Sequence, residues 1–88
     1  MGVVFMSKSK PISTENINKY IQLGLNIAYF RKLKGMTQEQ LAEKVGISRS
    51  HLSSIEAPNI IKAFSIELLF DIATALQIDC YRLLVFKE

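Results

Sequence analysis

Apolar residues recur at helical spacing along most of this chain, and glycines, a proline and small polar residues divide the pattern into five segments. In the central stretch they fall at Leu41 and Val45, then at Leu52 and Ile55, with polar positions between them. Each half therefore predicts one short amphipathic helix. Gly46 lies between the halves, where a tight bend needs positive φ without steric cost. Ile47 plugs the turn, and Ala42 is small enough for a second helix to cross closely. Thr37 and Ser48 are suited to cap the two helices at their N-termini. Two short helices joined steeply by such a turn form a helix-turn-helix, which typically places its second helix in the DNA major groove.

The flanking elements follow from the same pattern. Ser13 or Thr14 is expected to cap helix 1, with Glu15 at the positive end of its dipole. Ile17, Tyr20, Ile21, Leu23, Leu25, Ile27, Ala28, Phe30 and Leu33 predict a broad apolar face running through Lys34 to Gly35, a C-terminal glycine cap. Helix 3 is expected to stop at Glu56, because Pro58 disfavours helical geometry at Ala57. Asn59 to Phe64 read as a loop. Ser65 caps helix 4, with Ile66, Leu69, Ile72, Ala73 and Leu76 on its inner face. Asp79 caps a short helix 5 carrying Leu83 and Leu84. The expected fold is all-α, with residues 1–12 as a flexible N-terminal arm and residues 13–88 as the folded domain. Met6 followed by Ser7-Lys8-Ser9-Lys10 reads as a second start, which would make the first five residues dispensable.

Composition narrows the classes. A chain of 88 residues, 49% hydrophobic, is one domain with enough apolar surface for a core without disulfides. Cys80 is the only cysteine and reads as a small buried hydrophobe, consistent with a reducing cytoplasm. No apolar run approaches the roughly 20 residues of a membrane span. One histidine, one cysteine and no glycine-rich phosphate loop leave no foothold for catalysis or a metal site. No cofactor or small-molecule ligand is expected.

Charge changes the picture more. The net charge is +3, but residues 1–36 carry six Lys/Arg against one acid, while residues 37–56 carry two against three. Positive charge thus precedes the second helix of the motif, and charge alone does not predict tight non-specific DNA binding.

The residues from Leu23 to Leu84 resemble the Cro/phage-repressor, or XRE, family of helix-turn-helix regulators. The resemblance rests on Leu23-Gly24 with Ile27 and Arg31, Gly35-Met36-Thr37-Gln38 with Leu41-Ala42, Val45-Gly46-Ile47-Ser48, Ile55-Glu56, and Leu69 to Leu76. It implies a five-helix, lambda-repressor-like domain whose helices 2 and 3 form the motif. It further implies a cytoplasmic transcriptional regulator, such as a repressor or controller protein, that binds double-stranded DNA as a homodimer.

The resemblance also assigns roles. Thr37 and Gln38 would face DNA at the start of helix 2, with Gln38 on a phosphate. Ser48, Arg49, Ser50, His51, Ser53 and Ser54 would form the DNA-facing side of helix 3. Arg49 suits bidentate bonding to guanine, whereas the serines are weak readers. Arg31 and Glu56 would form a buried pair tying helix 1 to helix 3. The C-terminal Leu84, Val85 and Phe86 offer surplus apolar surface for dimerisation, with Val3, Val4 and Phe5 as an added clasp. One departure stands out. Where the family often has a glycine and a basic loop after Glu56, this chain has Ala57-Pro58-Asn59-Ile60-Ile61-Lys62. Its two isoleucines suit a protein contact, and they support the competing reading of an interaction module or antitoxin-like protein with weak DNA affinity.

Overall fold

The computed structural model describes residues 11–87; the apolar clasp, the second start and nearly all of the expected arm lie outside them. Four α-helices follow in order: α1 (Thr14–Leu33), α2 (Gln38–Val45), α3 (Arg49–Glu56) and α4 (Ile66–Leu76). The fifth predicted helix is instead a short 3-10 helix, Cys80–Leu84. There is no strand among the described residues. No helix there is long and apolar enough to cross a membrane.

Every element contributes to one core. Ile27, Leu41, Leu52, Ile72, Leu76 and Leu83 are fully buried, drawn from α1, α2, α3, α4 and the 3-10 helix in turn. Full burial of such a side chain contributes about 1.5–3 kcal/mol. α2 packs on both α3 and α4, while α1 lies across α3 and receives the 3-10 helix. α1 and α3 cross closely at Gly24, buried in α1. A Cβ built there would overlap the carbonyl oxygen of Ile55 in α3.

Three helices end in the same way. In α1 the N–H of Met36 donates to the Arg31 carbonyl, and that of Gly35 to Lys32. In α2 the Ile47 N–H donates to Ala42 and the Gly46 N–H to Glu43; in α4 the Ile78 N–H donates to Ala73 and the Gln77 N–H to Thr74. This double bonding satisfies the last carbonyls and needs one residue in the left-handed region. Gly35 (φ 73°) and Gly46 (φ 76°) supply it at no steric cost, but in α4 the position is held by Gln77 at φ 59°.

Several expectations are corrected. Apolar residues surround α1, and only Leu23, Ile27 and Phe30 turn their sides to the core; Leu25 and Leu33 are 45% and 61% exposed. The helix ends at Leu33 rather than Lys34. Ile66 also faces solvent, and Leu68 takes its place in the core of α4. Val45 and Ile47 are half-buried, packed against the core's edge, as is Cys80. Ser13 and Asp79 stand at N-cap positions but make no side-chain cap bond. Thr37, Ser48 and Ser65 do cap their helices, accepting from the N–H groups of Gln40, His51 and Leu68.

Candidate nucleic-acid interface

The helix-turn-helix is held by local bonds at each of its turns. Thr37 Oγ1 accepts the Gln40 N–H at 3.0 Å, and Gln40 Oε1 accepts the Thr37 N–H at 2.9 Å. This reciprocal capping box fixes the start of α2. The residue order Thr37-x-x-Gln40 already carries that signal, so Gln40 was legible in the sequence and overlooked. Gly46 then turns the chain, and Ser48 Oγ starts α3 by accepting the His51 N–H at 3.0 Å.

Leu52 and Ile55 are buried and hold α3 against the core, while Glu56 is buried at its last turn. The opposite side is polar. Ser48, Arg49, Ser50 and Ser53 are exposed, and His51 and Ser54 are half-buried beside them. The Ser54 hydroxyl donates to the Ser50 carbonyl at 3.1 Å, so its hydrogen is engaged within the helix and its oxygen is left to accept. Thr37 is exposed and Gln38 half-buried. Thr37, Gln38 and Glu39 of α2, with Arg49 of α3 and Arg31 of α1, line one open recess. Of the residues named from the sequence for DNA contact, Thr37, Gln38 and Arg49 meet at this recess; Ser48 caps α3, and Ser50, His51, Ser53 and Ser54 follow along α3 outside the recess.

Beneath the recess, Arg31 and Glu56 join α1 to α3. Arg31 Nε donates to Glu56 Oε2 at 2.8 Å and Arg31 Nη2 to Glu56 Oε1 at 2.9 Å. The remaining terminal nitrogen, Nη1, donates to the Met36 carbonyl at 2.8 Å. Both side chains are less than a tenth exposed, and the bidentate geometry satisfies the buried charge. A third member was not foreseen: Gln38 Nε2 also donates to Glu56 Oε1, at 2.9 Å. The resemblance implies only a phosphate contact for Gln38. No buried side-chain polar atom among the described residues lacks a partner.

A second group that sequence reasoning missed lies on the far side of α1. Asn26 Nδ2 donates to the carbonyls of Leu83 and Val85, at 2.9 and 3.0 Å. Gln22 donates to the Lys87 carbonyl at 3.0 Å and accepts the Lys87 N–H at 2.7 Å. The Arg82 guanidinium lies 4.9 Å above the Phe30 ring. These contacts strap the C-terminal segment along α1 and leave Tyr81, Leu84 and Val85 exposed, with Leu25 and Tyr29 of α1 exposed as well. Among the described residues no group of three or more metal-ligating side chains comes together.

The helix-turn-helix family profile matches residues 27–83, which span α2, α3 and α4 with the last two turns of α1 and all but the final residue of the 3-10 helix. The chain belongs to this family, the XRE type of helix-turn-helix protein. It is 38% identical over 66 residues to the HTH-type transcriptional regulator SinR of Bacillus licheniformis, an alignment covering 75% of this chain and 59% of that regulator. The chain thus matches about three-fifths of that relative's length. Its fold is similar to the restriction-modification controller protein C.AhdI from Aeromonas hydrophila, with a TM-score of 0.72 at 28% identity, covering 78% of this chain and 97% of the other. It is also similar to SinR, the master regulator for biofilm formation, solved in complex with DNA. There the TM-score is 0.65 at 38% identity, with 72% of this chain and 98% of the other covered.

Proposed function

We propose that this chain is a sequence-specific DNA-binding transcriptional regulator that inserts α3 into the major groove. The observation that carries the reading is the two-sidedness of α3. Leu52 and Ile55 anchor it rigidly, while Arg49, Ser50 and Ser53 stand free on the other side. Arg49 serves for base recognition, since its planar fork matches the two acceptors of guanine. Ser50, Ser53, Ser54 and His51 add contacts along the groove. Thr37, Gln38 and Ser48, at the starts of α2 and α3, position the domain on the phosphate backbone. The relatives named as transcriptional regulators and the DNA complex of one of them support this reading.

The regulator works as a homodimer on a two-fold operator in the cytoplasm. One helix with an arginine and a few serines discriminates too weakly against a genome of competing sites. A dimer doubles the contacts, with recognition helices about 34–36 Å apart, one turn of DNA. The exposed Leu84 and Val85, beside Leu25 and Tyr29, supply apolar surface for the pairing.

Fluorescence anisotropy on labelled random duplex and on genomic fragments enriched by the protein tests the function. Affinity falling steeply with salt, and tighter binding to enriched fragments, are the expected results. Absence of salt-dependent binding would return the chain to the interaction-module reading.

A further inference from the structure

Glu56 holds two partners with one carboxylate, and they belong to different parts of the domain. Its Oε1 accepts from Arg31 Nη2 and from Gln38 Nε2, both at 2.9 Å, while Oε2 accepts from Arg31 Nε. Arg31 is in α1; Gln38 is the first residue of α2 and lines the open recess with Thr37, Glu39 and Arg49. A carboxylate has no hydrogen to give, so only the nitrogen end of the Gln38 amide can face it. A free glutamine turns either end outward with little preference. This one cannot, because Arg31 holds the carboxylate rigid and the carboxylate holds the amide.

We infer that Glu56 is a positioning residue for DNA: through Gln38 Nε2 it fixes the amide so that its second N–H is kept for a phosphate in the Thr37–Arg49 recess. The inference rests on the DNA-binding reading above. One nitrogen carries both duties, because it has two hydrogens and Glu56 takes one. The contact to Glu56 is kept when DNA binds, so little side-chain freedom remains to be lost on binding. The residue is invisible from the DNA side, since Glu56 is buried and carries the wrong charge to meet a phosphate itself.

The test uses the whole chain, labelled with nitrogen-15, and a short duplex at low salt. In the free protein one Gln38 side-chain amide proton should show the downfield shift of a carboxylate bond. Adding duplex should move the other proton and leave the first in place. Loss of the first shift would mean that Gln38 abandons Glu56 to reach DNA, and would overturn the inference. So would movement of α3 signals with both Gln38 protons unchanged. If no α3 signal moves and anisotropy shows no binding, the DNA-binding reading itself fails and takes this one with it. A double-mutant cycle gives the second arm. Glu56→Gln should weaken binding to random duplex about tenfold, roughly the worth of one well-made hydrogen bond. In a Gln38→Ala background the same change should matter less than about twofold. Equal losses in both backgrounds would show a merely structural role. Should Glu56→Gln not fold, the spectroscopic arm decides.

Discussion

Gly24 of α1 lies directly against the backbone carbonyl of Ile55 in α3, with no room for a methyl group between them. The contact sets how closely the recognition helix approaches the long helix behind it. It also brings Arg31, two turns further along α1, within reach of Glu56, which follows Ile55.

Gly24→Ala should therefore destabilise the domain. Alanine favours a helix over glycine by about 1 kcal/mol. Forcing a methyl into a backbone contact costs about 1–3 kcal/mol or more, and here neither helix can yield by rotating a side chain. A net loss of about 1–2 kcal/mol in urea unfolding is expected. An alanine variant as stable as the parent would mean the helices do not cross this closely.

The left-handed helix ends make a paired prediction. Gly46→Ala meets no atom within 4 Å, so its cost is conformational alone, about 1 kcal/mol. Gln77→Gly relieves the same strain at the end of α4. Less the entropy glycine adds to the unfolded chain, it should gain about 0.5 kcal/mol. Thermal melts of the two variants should shift in opposite directions; shifts of the same sign would refute the argument.

The Arg31–Glu56 pair should respond asymmetrically. Glu56→Ala leaves a buried guanidinium with only the Met36 carbonyl, at a cost of about 3–5 kcal/mol. Replacing both partners, Arg31→Met with Glu56→Leu, should recover most of that loss, because no charge is then left unpaired. Chemical denaturation of the single and double variants distinguishes this from a pair of independent losses.

Arg49→Ala should weaken binding to the preferred operator by about 1–3 kcal/mol and relax the preference at one base pair. Affinity for random duplex should change less. If specific and random DNA lose equally, Arg49 touches phosphate alone, from the recess it shares with Gln38.

Assembly is testable at Val85, which is 62% exposed beside Leu84 on the strapped C-terminal segment. Val85→Asp would put a charge into the proposed interface without disturbing the fully buried Leu83. Sedimentation equilibrium at micromolar concentration should show dimer for the parent and monomer for the variant. A parent that is monomeric both alone and on operator DNA would contradict the dimer.

The parts of the domain readable from the chain are those made by neighbours three or four residues apart. The caps at Thr37, Ser48 and Ser65 are hydrogen bonds to the third residue onward, so residue type and position suffice to place them. Gly46 announces its turn because few other residues accept that φ, and α2 and α3 show their buried sides through spacing. Other features depend on partners distant in the chain. α1 is apolar all round, so spacing does not say which side faces inward; the approach of α3 at Gly24 and of Leu83 from the 3-10 helix settles that Leu25 and Leu33 stay out. The same holds for the bond of Gln38 to Glu56, 18 residues on, and for the straps from Gln22 and Asn26 to a segment 57 to 65 residues away. A glutamine at a helix start suits a phosphate or a carboxylate equally well, since its amide donates to either. What its amide meets in the folded protein depends on what the chain brings beside it, and here the packing of α3 on α2 brings Glu56 to one of its two N–H groups.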